Sequence, residues 1–125
     1  TMTAGLAAME LFDEAAVRGV NALTKRAMDG IDEAIRSTGV KACVTGGGSM
    51  FRVHLKESPP LNYRDALATP EENRQLALLL EHLLAEGLIM INTGSAAIST
   101  AMGTSEIDIL VAAMKSGFEN MIPVL

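Results

Sequence analysis

The sequence is poor in cysteine and carries no excess of basic charge, and both scarcities exclude classes of protein. Its single cysteine, Cys43, cannot form an intramolecular disulfide, so we expect a reducing, cytoplasmic compartment. Ten lysines and arginines stand against fifteen aspartates and glutamates, which gives a net charge of −5. Because nucleic-acid binding needs a concentrated basic surface, no nucleic-acid partner is expected.

Long apolar runs and familiar catalytic spacings are also missing. No run approaches the ~20 residues that span a bilayer, so no membrane partner is expected. His54 and His82 lie on different predicted elements without ligand-spaced cysteines or carboxylates, so we expect no metal site. The sequence contains no Gly-x-Ser-x-Gly motif, and no pair of carboxylates stands out as catalytic. The residues themselves therefore indicate no catalytic group.

What remains is enough apolar material for one globular domain. Hydrophobic residues make up 49% of the 125 residues and charged residues 20%. Aromatic residues are few, whereas there are eight methionines. Methionine fills irregular gaps in cores and also adaptable binding surfaces, and both uses stay open at this point.

The first segment, residues 2–37, predicts a long helix that ends at Gly39. Its first part, Met2–Val17, is apolar on nearly every side. A helix without a polar face needs cover from several directions, more than a domain of this size supplies. The second part is amphipathic, with a predicted core stripe of Val20, Leu23, Ala27, Ile31 and Ile35.

Two strands joined by a glycine-rich link are predicted next. Two runs have strand-like patterns, Val40–Thr45 and Met50–Lys56, the second alternating from Phe51 to Lys56, and Gly46–Ser49 separates them. A β-hairpin is the favoured interpretation. A phosphate-binding loop is the alternative, although such loops usually open a helix rather than a strand. Cys43, within the first strand, is expected to be an inert buried thiol.

The second half predicts a helix, a strand and a final helix. Thr69-Pro70-Glu71-Glu72 has the pattern of a capping box and begins a helix that runs to Glu86. Leu88–Ile91 is predicted as a buried strand. Ser105 is expected to cap the last helix, and Pro123 to end it. Two apolar sets should be buried: Leu76, Leu79, Leu80, Leu83 and Leu84 in the first helix, and Ile107, Leu110 or Val111, Met114, Phe118 and Met121 in the last.

The predicted order is thus α-β-β-α-β-α, a small α/β (α+β) domain with a mainly antiparallel sheet. The break after the third predicted strand is the best candidate for a site, because strand ends often border a ligand crevice. An ordinary connecting loop is the alternative. The candidate substrate-proximal residues there are Asn92, Thr93, Gly94 and Ser95.

Segments along the whole chain resemble the last third of class III pyridoxal-phosphate aminotransferases. Thr1–Met9 is similar to the helix that leads from their large, cofactor-binding domain towards the small domain. Thr45–Phe51 is similar to the hairpin early in that small domain, and the stretch from Asn62 to Met90 follows the same pattern. Ser105–Asp108 is similar to the start of the final helix. The branch that these segments resemble most is glutamate-1-semialdehyde 2,1-aminomutase.

This resemblance implies a domain of a larger, dimeric enzyme. Residues 1–37 would link from a large domain, and residues 38–125 would form the small C-terminal domain. In the family, a lysine of the large domain forms a Schiff base with pyridoxal phosphate. None of this chain's lysines matches it, so the chain is expected to hold no catalytic or cofactor-binding residue and to be inactive alone. Its lysines are Lys25, Lys41, Lys56 and Lys115.

Two alternatives remain for function. Residues 92–99 replace a polar and aromatic stretch of the aminomutases and contain no arginine for a substrate carboxylate. An amino-acid or amine aminotransferase is therefore the alternative parent enzyme. The alternative from another class is a free-standing regulatory or oligomerisation module, since fold does not fix function.

Overall fold

The computed structural model describes residues 1–121 and contains a three-stranded antiparallel sheet with helices packed on it. The central strand is the second, in the order β1-β2-β3. The predicted fold class and element order are confirmed, with one added short helix and a divided first helix. Pro123 lies outside the described residues. The elements are α1 Met2–Leu11, α2 Glu14–Thr38, β1 Cys43–Gly47, β2 Met50–His54, α3 Tyr63–Ala66, α4 Pro70–Ala85, β3 Ser95–Ala97 and α5 Thr104–Met121.

The first segment forms two helices, so the continuous helix predicted over residues 2–37 is wrong at Phe12 and Asp13. Phe12 leaves the helical conformation, with φ −88° and ψ 70°. The Asp13 carboxylate accepts a hydrogen bond from the Ala16 N–H at 2.8 Å. Aspartate is a strong N-cap because its side chain satisfies a free N–H of the first turn. This cap starts α2 as a new helix.

The core lies between α2, α5, α4 and the sheet. Helix α2 packs against α5 and β1, and α4 packs against α5. The predicted stripe of α2 is confirmed, with Val20, Ala27 and Ile31 buried and Leu23 and Ile35 partly buried. All of these side chains except Val20 pack in or against the main hydrophobic cluster, so α2 belongs to the core of this domain.

The predicted hairpin is confirmed, with a tighter turn than the glycine run suggested. The register pairs Cys43 with His54 and Gly47 with Met50, so the turn itself is Gly48 and Ser49. Gly48 has a φ of 62°, a conformation that favours glycine. Gly46 and Gly47 belong to β1 instead of the turn.

Helix α4 begins as predicted with a complete capping box. The Glu72 N–H donates to Thr69 Oγ1 at 3.2 Å, and the Thr69 N–H donates to Glu72 Oε2 at 2.7 Å. In the apolar stripe, Leu76, Leu79 and Leu83 are buried and Leu80 is partly buried. The prediction that Leu84 is buried is wrong, because that side chain is 62% exposed. It lies about 100° around the helix from Leu83, beyond the edge of the buried face.

The third strand is not where the sequence predicted it. Leu88–Ile91 forms no regular structure, and β3 is Ser95–Ala97, where the sequence pattern predicts no strand. In the apolar run, Leu88 and Met90 pack against the core while Ile89 is 84% and Ile91 60% exposed. The position beside β2 is taken by β3, and Ile91 instead donates its N–H to the Ser95 carbonyl at 3.2 Å. Leu88 and Met90 therefore pack at the edge of the core, although this segment does not join the sheet.

The final helix confirms the predicted stripe but not the predicted cap. Ser105 lies inside the first turn, since α5 begins at Thr104. The Glu106 carboxylate accepts from the Gly103 N–H at 2.7 Å and from Ser105 Oγ at 3.1 Å. The carboxylate thus satisfies the N–H of the residue just before α5, and its negative charge is favoured in the first turn. The buried stripe contains Ile107, Leu110, Met114, Phe118 and Met121.

Candidate functional site

The four candidate residues form one tight turn at the end of the sheet. The Gly94 N–H donates to the Ile91 carbonyl at 2.9 Å, which closes the turn before β3. Asn92 and Thr93 are exposed, Gly94 is buried and Ser95 is half-buried. Thr93 Oγ1 donates to Ser95 Oγ at 3.2 Å. The turn therefore presents an amide and two hydroxyl groups around a fixed backbone.

Gly94 holds this turn against the central strand. Its φ is 80°, which side-chain-bearing residues rarely adopt, and a Cβ there would lie 2.6 Å from the Val53 carbonyl oxygen. Its own carbonyl accepts a hydrogen bond from the Val53 N–H at 2.9 Å. The close approach continues the backbone ladder between β2 and β3 by one further bond.

Arg52 on β2 lies against the same turn, and sequence reasoning missed it. Its Nε donates to the Thr93 carbonyl at 3.1 Å, and its cross-strand partner is Ser95. The alternation of β2 already placed Arg52 on the polar face of that strand. The contact was missed because the third strand was predicted at Leu88–Ile91, which would have set a different neighbour beside Arg52.

His54, two residues along the same face of β2, is buried and neutral at neutral pH. Its Nε2 lies 2.9 Å from Thr45 Oγ1. Burial lowers the pKa of His54, and the positive charges of Arg52 and Lys56 lower it further. Burial raises the pKa of the thiol of Cys43, its cross-strand partner, which keeps that cysteine protonated. Both residues fit the packing roles predicted for them.

Lys56 completes the polar face and is neutralised by Glu72. The two side chains form a half-buried ion pair with a distance of 2.8 Å between Nζ and Oε2. Burial raises the pKa of Glu72, but hydrogen bonds from Lys56 and Thr69 outweigh it, and the pKa is lowered. Arg52, His54, Lys56, Glu72 and Thr93 border a small pocket of about 20 Å³, room for about one water molecule.

The chain's lysines do not fit a Schiff base with a carbonyl cofactor. Such a lysine needs a pocket that favours the neutral amine. Lys25, Lys41 and Lys115 are exposed, and Lys25 is paired with Asp29 at 2.7 Å. Lys56 is held by Glu72 in a half-buried ion pair. None of the four lysines therefore has the surroundings that such a Schiff base needs.

Helix α1 forms an apolar surface without internal cover. None of its residues is buried, and Met2 is 91% and Leu11 82% exposed. Leu6 and Met9 of the same helix are also exposed, as is Phe12 directly after it. Exposed apolar surface of this extent commonly marks an interaction site.

The described residues contain neither a cluster of metal ligands nor a membrane-spanning helix. Between residues 1 and 121, no three histidine, cysteine, aspartate or glutamate side chains are grouped as metal ligands would be. In the same part of the chain, every helix is too short or too polar to cross a membrane.

No protein-family model matches the chain, but solved structures do. An omega-transaminase from Sphaerobacter thermophilus is similar with a TM-score of 0.90 and 30% sequence identity over 94% of this chain. The fold is that of an aminotransferase C-terminal domain. A transaminase with PLP bound is similar to this chain with a TM-score of 0.83 and 26% sequence identity over 98% of the chain.

A glutamate-1-semialdehyde aminomutase from Pseudomonas aeruginosa PAO1 shares the aminotransferase C-terminal-domain fold, with a TM-score of 0.74 and 16% identity over 84% of the chain. At that identity the similarity shows the fold alone. The chain spans about a quarter of these proteins: 27% of the omega-transaminase, 27% of the PLP-bound transaminase and 23% of the aminomutase.

Proposed function

We propose that the chain is the C-terminal small domain of a class III pyridoxal-phosphate aminotransferase that transfers an amino group of an amino-acid-like substrate. The observation that carries this proposal is the similarity to the omega-transaminase, at a TM-score of 0.90 and 30% identity over 94% of the chain. The turn Asn92–Ser95 would border the substrate. Transfer within one substrate, as in an aminomutase, is the alternative reaction.

The cofactor lysine would belong to the large domain of the same enzyme. The lysines of this chain are exposed or ion-paired, which supports that placement. When bound, pyridoxal phosphate supplies the electron sink for amino-group transfer. The part of this chain would be to close one side of the site and to position the substrate, so the chain alone would have no activity.

Helix α1 would connect this domain with the large one. The sequence predicts a linking segment over residues 1–37. Support for α1 as the part that contacts the large domain comes from burial, because no residue of α1 is buried whereas α2 buries its apolar face within this domain. A large domain would cover the exposed apolar residues of α1. We extend the proposal to a homodimeric, cytoplasmic enzyme on the resemblance to the family.

The proposal is tested on the full gene product, purified and scanned for visible absorption before and after borohydride. We expect a yellow protein longer than 125 residues whose absorption band is lost on reduction, because borohydride reduces a Schiff base. The matched control is the chain of residues 1–125 alone, which should show no visible absorption band after it is mixed with pyridoxal phosphate and the unbound cofactor is removed. A longer product that binds no pyridoxal phosphate would contradict the proposal, and a product that ends at residue 125 would favour a free-standing module.

A further inference from the structure

The guanidinium of Arg52 lies against the turn Asn92–Ser95, and we propose that it binds the carboxylate of the substrate. This inference rests on the proposed function and names the substrate class. The enzyme would act on amino acids in preference to amines that lack a carboxyl group. Residues 92–99 contain no arginine, but Arg52 comes from β2, which lies beside that segment in the fold.

The geometry of Arg52 fixes the guanidinium while leaving its outer nitrogens free. Nε donates to the Thr93 carbonyl at 3.1 Å, and Ser95 is the cross-strand partner. Within residues 1–121, Arg52 forms no salt bridge, and Nη1 and Nη2 donate no hydrogen bond. Two parallel N–H groups on one planar fork match the two oxygens of a carboxylate. Anchoring through Nε also reduces the rotamer entropy lost when such a ligand binds.

Among the described side chains that border the pocket next to the turn, Arg52 is a cation without a paired carboxylate. Glu72 pairs with Lys56 at 2.8 Å and cancels that charge. His54 is neutral at neutral pH, since burial and the two neighbouring cations lower its pKa. Among the described side chains that border this pocket, Arg52 therefore carries the remaining net positive charge. An anionic group is favoured beside it.

Thr93, Ser95 and Asn92 add neutral hydrogen-bonding groups next to the guanidinium. The hydroxyls of Thr93 and Ser95 are 3.2 Å apart, and the amide of Asn92 is exposed on the same turn. Such groups can orient a bound anion without opposing its charge. A cofactor phosphate shares this anionic chemistry, and the experiment separates it from a substrate carboxylate.

The test compares two amino donors in the full-length enzyme and in its Arg52→Gln variant. 3-Amino-3-phenylpropanoate and 1-phenylethylamine have the same amine and ring, but the second lacks the carboxylate. We expect kcat/KM for the amino acid to fall roughly 10- to 100-fold, mainly through KM, because a charged hydrogen-bonded pair is lost. The value for the amine should not change. Arg52→Lys, which keeps the charge without the fork, should give an intermediate loss.

Arg18→Gln is the matched control, since it removes an equal charge from the exposed start of α2, where Arg18 pairs only with Glu14. It should leave both substrates unaffected. Equal loss for both donors, or no loss for the amino acid, would overturn the role of Arg52 while the proposed function stands. Release of the cofactor from Arg52→Gln, seen as lost absorption, would assign Arg52 to the phosphate and also overturn it. A wild-type enzyme that transfers from neither donor and binds no cofactor would refute the proposed function itself.

Discussion

At the scale of single residues, the shape of the candidate site depends on one glycine. Gly94 combines a φ of 80° with a backbone contact that leaves no room for a Cβ. Thr93 and Ser95 flank it, so their hydroxyls and the carbonyl that holds Arg52 take their positions from this conformation. The turn is therefore built by backbone geometry rather than by side-chain packing.

Gly94→Ala should destabilise the domain by about 1–3 kcal/mol, because alanine must either keep a left-handed conformation or move away from the Val53 carbonyl. Chemical denaturation of the chain measures the free energy of unfolding. Gly47→Ala is the control, since Gly47 has an ordinary φ and open space where its Cβ would be. Equal stability of the two variants would show that the turn relaxes freely and does not fix the site.

At the scale of elements, the start of α4 is tied to the end of β2 through one carboxylate. Glu72 accepts from the Thr69 N–H at 2.7 Å and from Lys56 Nζ at 2.8 Å. It thus completes the capping box and binds Lys56, which lies two residues beyond the strand that carries Arg52. Loss of this link would loosen the pocket border as well as the helix.

Glu72→Gln should lower the free energy of unfolding by about 1 kcal/mol at neutral pH, since glutamine keeps the bond from Thr69 but loses the ion pair with Lys56. The pKa of Glu72 is lowered in the folded state, so its contribution is present above the ordinary pKa of 4.5 and lost as the pH falls through the lower folded value. The difference between wild type and variant should therefore disappear in acid. Thr69→Ala removes about 1 kcal/mol of cap stabilisation and is the control, because its loss should persist in acid. A pH-independent effect of Glu72→Gln would contradict this assignment.

Elements that depend on neighbouring residues were predictable from the sequence. The third strand was not, because two segments could pair with β2 and the sequence does not show which one does. The Thr69 capping box, the hairpin and the stripe of α5 depend on neighbouring residues and were confirmed. The strand at Leu88–Ile91 was wrong, because Ser95–Ala97 pairs with β2 in its place and no local pattern reveals that choice. The contact between Arg52 and Thr93 depends on this pairing across 41 positions. The sequence thus predicted the break at Asn92–Ser95 but not the neighbouring cation Arg52, and the role of the turn beside a substrate stays a prediction.

At the scale of the whole molecule, the described residues form one hydrophobic core, and the ten-residue helix α1 lies outside it. The buried residues come from α2, the sheet, α4 and α5 and from the segments that connect them, whereas α1 has no buried residue. The break at Phe12 and Asp13 separates α1 from the amphipathic helix that follows. The apolar surface of α1 therefore contributes nothing to the stability of this domain, and burial against another body would be its favourable state.

The isolated chain should self-associate and bind a hydrophobic dye through α1. Removal of residues 1–12 should abolish both, because it deletes the exposed apolar side chains and keeps Asp13 as the cap of α2. Light scattering after size exclusion and dye fluorescence measure the two effects, and unchanged thermal unfolding of the shortened chain would confirm that its core is intact. Replacement of Ile89 and Ile91 by serine is the control, because it changes exposed apolar side chains elsewhere on the domain. If the chain of residues 1–125 is instead a monodisperse monomer without dye binding, α1 is not a docking surface, and the proposed contact with a large domain loses its structural basis.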